Sequence, residues 1–183
     1  GVKVNNGVIS QRWYGGRWVN LETILEVAQA RGMAVGLVTT VPIGHATPAA
    51  FAAHVPIRKM MPEIVDQMLA HQVDVLLGGG EDDFLPEQVR GCYPRVGKRN
   101  DGRNLIAEAM TSGYTYVCDA AAFDSVDTAS TPKLLGLFAD EGMTRPFAPT
   151  LAAMTETAIA VLSQDPDGFF LMIEGGQIDW AAH

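Results

Sequence analysis

The sequence is poor in cysteine, has no excess of basic residues and contains no long apolar run. Its two cysteines, Cys92 and Cys118, are too few to define a disulfide framework. They could pair in an oxidising compartment or remain two ordinary thiols. With 13 Lys and Arg residues against 21 Asp and Glu residues, the net charge is −8. No basic stripe is therefore available, and nucleic acid is not an expected partner.

Segments that would direct the chain to a membrane or anchor it there are also lacking. No run approaches the roughly 18 apolar residues that cross a bilayer, and no signal peptide is visible. Internal repeats and low-complexity segments are absent as well. The sequence begins with Gly1 rather than methionine, so we expect a processed or truncated chain.

What the sequence does contain is a regular alternation of apolar runs and helical patterns. At 183 residues and 48% hydrophobic content, residues 1–183 are long enough to bury one core, and we expect a single α/β unit. Strands separated by helices predict a three-layer fold with a mostly parallel sheet and helices on both faces. The predicted strands are 33–39, 73–77, 114–117, 134–138 and 169–173, and the predicted helices are 21–31, 49–53, 63–70, 104–110 and 150–162. The segment 81–100 reads as an irregular surface loop.

A first cluster of chemically active residues follows the last predicted strand. The apolar run 169–173 leads to Glu174, which is followed by two glycines that permit a tight turn. Asp179 and His183 are four residues apart, so on a helix they lie one turn apart on one face and could bind one cation. The alternative is a solvated Asp–His pair, which is the commoner occurrence at this spacing.

A second cluster follows the predicted strand 33–39. His45 and Thr47 lie just beyond its carboxyl end, and Arg58 comes about one helix later. Because ligand crevices of open α/β sheets lie at the carboxyl ends of strands, this cluster and the first cluster could meet across one crevice. Taken singly, Thr47 could instead cap a helix that begins at Pro48, His45 could be a loop histidine and Arg58 a solvated charge.

The residue types indicate which ions these clusters would bind. A threonine hydroxyl and a glutamate, completed by waters, form an oxygen-rich set that suits magnesium. Asp179 and His183 offer mixed oxygen and nitrogen ligands that suit zinc. Arg58 can present a bidentate fork to an anion.

These residues resemble the alkaline phosphatase family. Residues 38–49 (VTTVPIGHATPA), followed by His54 and Arg58, are similar to one region of that family, and residues 174–183 (EGGQIDWAAH) are similar to its metal-binding signature. Residues 76–80 (LLGGG) resemble its glycine-rich strand end. The segments occur in the family's order and spacing, and together they cover nearly the whole chain.

The resemblance implies a role for each matching residue. Asp179 and His183 would bind the first zinc, while Thr47 and Glu174 would bind magnesium. Arg58 would grip two phosphate oxygens. His45 occupies a position beside the magnesium that tunes it rather than binding it. Trp180 stands near the substrate where other members carry lysine or histidine, and it offers one N–H but no charge.

The resemblance also implies that parts of the family's site lie outside this sequence. The family's nucleophilic serine precedes a segment whose tail resembles residues 1–3, and its remaining zinc ligands would follow residue 183. The dipeptide Asp124-Ser125 copies the nucleophile motif in the wrong order along the chain, so we interpret Ser125 as structural. The fold is then incomplete, and this chain alone is expected to be inactive.

In the intact family, two zinc ions and one magnesium ion support hydrolysis of small phosphate monoesters through a phosphoserine. The resemblance further implies a periplasmic or secreted location and a possible homodimer. Two alternatives stay open. One is a related metal-dependent phosphodiesterase or phosphonate hydrolase, and the other is a non-catalytic metal-binding remnant or interaction module.

Overall fold

A five-stranded, entirely parallel sheet lies at the centre of the structure, a computed structural model that describes residues 1–183. The strands are β1 (Gln11–Tyr14), β2 (Arg17–Asn20), β3 (Ala34–Pro42), β4 (Val75–Gly79), β5 (Thr115–Val117), β6 (Leu134–Leu137) and β7 (Phe169–Glu174). Their order in the large sheet is β5-β6-β4-β3-β7, and β1 pairs with β2 in a separate antiparallel hairpin. Because β3 and β7 are neighbours, their carboxyl ends lie side by side.

Seven helices connect the strands and cover both faces of the sheet. They are α1 (Ile24–Gln29), α2 (Ala46–Ala52), α3 (Met61–Ala70), α4 (Leu105–Thr111), α5 (Ala120–Asp124), α6 (Leu151–Leu162) and α7 (Gln177–Ala182). Short 3-10 turns occur at Glu81–Asp83 and Thr128–Ser130. None of the helices is both long and apolar enough to cross a membrane.

Two apolar clusters, one on each side of the sheet, form the core. On one side, α1, α2, α3 and α4 pack against β-strand residues such as Leu37 and Leu76. On the other, α5 and α6 pack against residues such as Val38 and Leu77. Alternate residues of one strand thus enter opposite clusters, as the pleat requires. The predicted three-layer α/β fold is confirmed.

The predicted helix 21–31 is shorter in the structure, because Thr23 caps it. The Thr23 side chain accepts the N–H of Glu26, and the Glu26 carboxylate accepts the N–H of Thr23, which forms a capping box. The helix therefore begins at Ile24 and excludes Leu21.

Two predicted loops also need correction. Residues 40–42 were assigned to the loop after β3, but they continue the strand, because Pro42 still pairs with Gly79 of β4. The segment 81–100 is irregular as predicted, yet residues 81–86 are buried rather than on the surface. A disulfide joins Cys92 in this segment to Cys118 after β5, with Cα atoms 6.3 Å apart. The pairing that the sequence left open is therefore present.

The hairpin of β1 and β2 is absent from the sequence-based assignment. It turns at Gly15 and Gly16, both with positive φ, and sets Trp13 against Trp18 at a ring-centroid distance of 5.3 Å. Two glycines between runs of aromatic and β-branched residues are a hairpin signal, so this element was readable from the sequence.

Candidate functional site

The site lies at the carboxyl edge of the sheet, where β3 and β7 end together. Thr39 and Glu174 are paired across these two strands. The fully buried Thr39 hydroxyl donates to Glu174 Oε2 at 2.7 Å, which fixes the carboxylate at the sheet edge. The other oxygen, Oε1, makes no hydrogen bond within the protein and is free to bind a cation.

Nine residues surround one cleft of about 340 Å³ at this edge. Six of the seven residues assigned to the site from the sequence and its family resemblance line this cleft, and the exception is His183. The full lining is Val41, His45, Ala46, Thr47, Arg58, Glu174, Gly176, Asp179 and Trp180. Glu174 and Asp179 of the first cluster therefore meet the second cluster in one cleft, whereas His183 does not line it.

Helix α2 brings His45 and Thr47 to the cleft. His45 is the N-cap residue of α2, so Thr47 lies within the first turn and does not cap the helix as the alternative reading required. Thr47 is exposed and its hydroxyl makes no hydrogen bond, which leaves it available as an oxygen ligand. Pro48 lies in the same turn. Backbone N–H groups in the first turn of a helix have no partner within the helix, so proline loses no hydrogen bond there.

His45 and Arg58 are joined directly. Arg58 Nη2 donates to His45 Nε2 at 3.0 Å, so the ring is a neutral imidazole with its proton on Nδ1. Burial lowers the pKa of His45, the charge of Arg58 lowers it further, and Glu174 and Asp179 oppose this effect. His45 Nδ1 is buried without a hydrogen-bond partner.

Trp180 forms one wall of the cleft. Its ring meets the His45 ring edge-on, with centroids 5.9 Å apart, and it packs on Gly142 from the loop after β6. A Cβ at position 142 would lie 2.5 Å from Trp180 Cζ3, so this wall requires glycine there. No local pattern in the sequence could have identified Gly142, because the contact joins distant segments.

The start of α7 is fixed by its first residues. The N–H of Gln177 donates to Thr40 Oγ1 at 3.2 Å, and Gln177 Nε2 donates to the carbonyl of Met143 at 3.0 Å. A Cβ on Gly176 would lie 2.6 Å from Val41 Cγ1, so the close turn after Glu174 requires glycine. The sequence offered one indication that Glu174 has a hydrogen-bond partner. Thr39 is a polar residue inside an otherwise apolar predicted strand.

Asp179 and His183 lie one turn apart on α7, as the spacing predicted. His183 Nδ1 is 2.9 Å from the carbonyl oxygen of Asp179 and 3.5 Å from its Oδ1. The hydrogen bond to that carbonyl raises the pKa of His183, and the Asp179 carboxylate adds to the effect. Asp179 lines the cleft, whereas His183 does not and is 79% exposed.

The donor set fits the ions that the resemblance implies, although no group of three or more His, Cys, Asp and Glu side chains is arranged to hold a metal. Thr47 and the free oxygen of Glu174 supply the oxygen ligands that magnesium prefers, and the rest of its shell can be water. Asp179 and His183 supply two of the roughly four ligands of a zinc site. Their roles as ligands stay predictions.

A charged cleft at the carboxyl edge of a parallel sheet, with helices on both faces, defines an α/β protein of the kind that binds its ligand at strand ends. The family model described as alkaline phosphatase matches residues 1–183. The chain is 41% identical to alkaline phosphatase 3 of Bacillus subtilis over 194 aligned positions, which cover all of this chain and 38% of that protein. The chain therefore belongs to the alkaline phosphatase family.

Solved structures agree with this assignment. The alkaline phosphatase of Thermus thermophilus superimposes with a TM-score of 0.85 at 32% identity, covering 98% of this chain and 36% of that one. A histidine-to-glutamate mutant of the alkaline phosphatase from the Antarctic bacterium TAB5, with magnesium bound in its M3 site, gives a TM-score of 0.77 at 30% identity and covers 98% of this chain and 48% of that one. The chain thus spans less than half the length of each of these three relatives.

Proposed function

We propose that this chain is the central part of an alkaline phosphatase that hydrolyses phosphate monoesters with zinc and magnesium. Its nucleophile would be a serine outside residues 1–183, which forms a phosphoserine. The observation that carries the proposal is the convergence of Arg58, Thr47, Glu174 and Asp179 on one cleft. Family membership over the whole chain supports it independently.

Arg58 would bind the phosphoryl group. Its guanidinium is planar and permanently charged, and two parallel N–H groups match two phosphate oxygens. The contact with His45 Nε2 engages one nitrogen and holds the guanidinium at the cleft. Phosphoryl transfer requires mainly positioning and charge stabilisation, which a held arginine provides.

The metal ligands would divide between two sites. Thr47 and Glu174 would hold magnesium, with Thr39 orienting the Glu174 carboxylate. Asp179 and His183 would hold one zinc ion together with ligands from outside this chain. When bound, the metals supply Lewis-acid activation of the serine hydroxyl, the leaving-group oxygen and the attacking water. His45 would tune the magnesium site from beside it.

Trp180 would contribute shape and one N–H donor at the substrate side of the cleft. Because an indole carries no charge, Arg58 is the only cationic side chain that lines this cleft for phosphate. The proposal therefore assigns most of the protein's electrostatic contribution to phosphate binding to one residue.

The reaction class can be tested on the full-length protein, loaded with zinc and magnesium. We expect hydrolysis of p-nitrophenyl phosphate and much slower hydrolysis of bis-p-nitrophenyl phosphate and of a phosphonate monoester. A preference for either of the latter two would favour the related phosphodiesterase or phosphonate hydrolase. Encoding DNA without an in-frame upstream Asp-Ser motif would instead support a non-catalytic remnant.

Arg58→Ala tests the proposed phosphate site in the same protein. Inorganic phosphate should bind more weakly by roughly 1.5–3 kcal/mol, the range for a hydrogen bond to a charged group. Zinc content should not change, because Arg58 is not a ligand. Arg58→Lys is the matched control, since it keeps the charge and loses the fork. Loss of zinc with phosphate affinity intact would assign Arg58 a structural role.

We also propose that the full-length protein is exported to the periplasm or secreted. The disulfide between Cys92 and Cys118 supports this, because disulfides persist in oxidising compartments. A homodimer and the absence of nucleic acid as a partner remain predictions from the family and from the net charge of −8. Sedimentation of the full-length protein would test the dimer.

A further inference from the structure

Arg58 lies outside every helix and strand, and a distant segment of the chain holds it in place. The backbone N–H of Arg58 donates to the carbonyl of Gly7 at 2.7 Å. Val55 and Ile9 exchange two backbone hydrogen bonds, at 2.9 and 3.2 Å, and both side chains are buried. Residues 54–58 are therefore positioned by residues 7–10 rather than by a regular element of their own.

His54 is the residue of this segment with the most fixed environment. Its side chain is only 5% exposed, with Nδ1 2.9 Å from the carbonyl oxygen of Ser10 and Nε2 3.0 Å from Glu26 Oε1. Its backbone N–H donates to Gln67 Oε1 at 2.7 Å, and its carbonyl accepts from Gln67 Nε2 at 3.2 Å. Three separate parts of the chain thus converge on one residue.

The protons in this network are constrained. A carbonyl oxygen cannot donate a hydrogen bond. His54 Nδ1 therefore carries a hydrogen and donates it in a hydrogen bond to the Ser10 carbonyl. The second ring nitrogen, Nε2, faces Glu26 Oε1. Burial raises the pKa of Glu26, but hydrogen bonds from Thr23 and His54 outweigh it, and the net direction is below the ordinary value.

Ser10 provides a second, independent observation. Its φ of 45° is in the left-handed region, which is unfavourable for a residue other than glycine. In this conformation its carbonyl accepts from both Leu21 N–H, at 2.9 Å, and His54. Strained backbone of this kind persists where the surrounding structure requires it. Here the strained residue supplies the acceptor for His54.

We propose that His54 is a positioning residue for Arg58, acting as a two-ended link that ties residues 54–58 to Ser10 and to Glu26 of α1. This inference rests on the proposed function, in which Arg58 binds phosphate. His54 does not line the cleft and touches no predicted metal ligand. Loosening the link would therefore displace the guanidinium and leave the ligands on β7 and α7 in place.

Two substitutions in the full-length protein separate the ends of the link. His54→Asn retains a donor near the position of Nδ1 and loses the contact with Glu26, whereas His54→Leu loses both. With inorganic phosphate as the probe, we expect Kd to rise by about 3-fold for His54→Asn and by about 10-fold or more for His54→Leu, as for one and two lost hydrogen bonds. KM should rise by more than kcat falls, and zinc and magnesium content should be unchanged.

Tyr114→Phe is the matched control for a purely structural effect. It also removes one buried hydrogen bond, from Tyr114 to the carbonyl of Val73 at 2.8 Å, but at the opposite edge of the sheet. We expect it to lower the unfolding free energy without changing phosphate affinity. If it weakens phosphate binding as much as His54→Leu does, the effect is general destabilisation and the proposal is wrong.

Arg58→Ala, measured alongside, separates this inference from the proposed function. If Arg58→Ala leaves phosphate affinity unchanged, the assigned phosphate site is wrong, and the positioning role falls with it. If Arg58→Ala weakens phosphate binding while a folded His54→Leu binds as the wild type does, only the positioning role is wrong. Should His54→Leu fail to fold, His54→Asn decides, and wild-type phosphate affinity in that variant overturns the proposal.

Discussion

Asp83 is a fully buried carboxylate whose charge the surrounding protein balances only in part. Lys98 Nζ lies 3.3 Å from Asp83 Oδ1 and 2.9 Å from Asp82 Oδ1, so one ammonium serves two acids. Burial raises the pKa of Asp83 to about 7, with Asp82 and Glu141 adding to the effect and Lys98 opposing it. Asp83 therefore keeps a proton in the folded protein well above the ordinary range for aspartate.

This shift predicts a pH-dependent loss of stability. The folded pKa lies above the unfolded value of 3.8, so between about pH 4 and 7 the folded state binds more protons and its stability falls as pH rises. Asp83→Asn is neutral throughout and should recover up to roughly 3 kcal/mol at pH 8, with little gain at pH 4. Urea unfolding at both pH values measures this. Glu156→Gln, at an exposed site, is the control, and an equal gain at both pH values would contradict the explanation.

The two predicted metal sites should respond to different substitutions in the full-length protein. Asp179→Ala or His183→Ala should empty a zinc site and abolish hydrolysis, because zinc needs about four ligands and the protein supplies most of them. Thr47→Ala with Glu174→Gln should lower magnesium occupancy and rate while zinc stays bound, since magnesium keeps several waters. His45→Asp should tighten magnesium by adding a negative acceptor beside it.

Metal analysis of these variants by mass spectrometry decides between two sites and one. If the changes at Thr47 and Glu174 remove zinc first, the assignment of the oxygen ligands to magnesium is wrong. The two clusters would then share a single ion.

At the scale of elements, the disulfide fixes the exposed part of segment 81–100, at Cys92, to Cys118 directly after β5. Glu81 accepts from the N–H groups of Cys92 and Tyr93 and from the hydroxyl of Tyr116, so its buried carboxylate is fully engaged beside the bridge. The bridge spans 26 residues. Replacing both cysteines by serine should lower the unfolding free energy by about 2–4 kcal/mol, mainly because the unfolded chain gains freedom.

Urea unfolding of the oxidised and the reduced wild type provides the control for that substitution. Reduction should lower stability by a similar amount, since it breaks the same bridge and keeps both sulfur atoms. Equal stability of oxidised protein, reduced protein and serine variant would mean that the local hydrogen bonds of Glu81 alone hold the segment.

The periodic elements of this fold are predictable because their apolar faces repeat. Strand β7 and helix α6 follow this rule, and their ends differ from the prediction by one residue each. The carboxyl end of β3 differs by three residues, because pairing of Pro42 with Gly79 extends it and this contact is not local. Propensity cannot report such a tertiary contact.

In the candidate site, too, some residue positions were predictable from the sequence and others were not. Glu174 and Thr47 were placed correctly at the sheet edge because each follows a predicted strand. The contact between Arg58 and His45 was not predictable, since it depends on residues 7–10 pairing with residues 54–58. Sequence patterns predict the position of a residue that belongs to or directly follows a helix or strand. The position of a residue in an irregular segment, such as Arg58, can be learned only from the structure.

At the scale of the whole molecule, the net charge and the local charge at the cleft have opposite effects on an anion. The net charge of −8 on residues 1–183 would oppose the approach of the proposed anionic substrate at long range, although salt screens this effect beyond about 8 Å at physiological ionic strength. The proposed binding of phosphate would then depend on local positive charge, which in this chain means Arg58 together with any bound metals. The proposed attraction between Arg58 and phosphate is therefore short-range, and phosphate affinity should change little with ionic strength.

Ser125 is the remaining residue that copies the nucleophile motif, and its surroundings indicate a structural role. Its hydroxyl donates to the carbonyl of Ala121 at 2.8 Å, where it ends α5. Helix α5 packs on the opposite face of the sheet from α2, and Ser125 does not line the cleft. No base or predicted metal ligand lies within hydrogen-bond reach of its hydroxyl.

We therefore predict that the 183-residue chain by itself shows no measurable hydrolysis of p-nitrophenyl phosphate, even with zinc and magnesium added. Two protein ligands do not hold zinc firmly, and the proposed serine nucleophile is not among these residues. The full-length protein, assayed in parallel, is the positive control. Turnover by the isolated chain that disappears in Ser125→Ala would overturn both the assignment of the nucleophile to another part of the protein and the structural role given to Ser125.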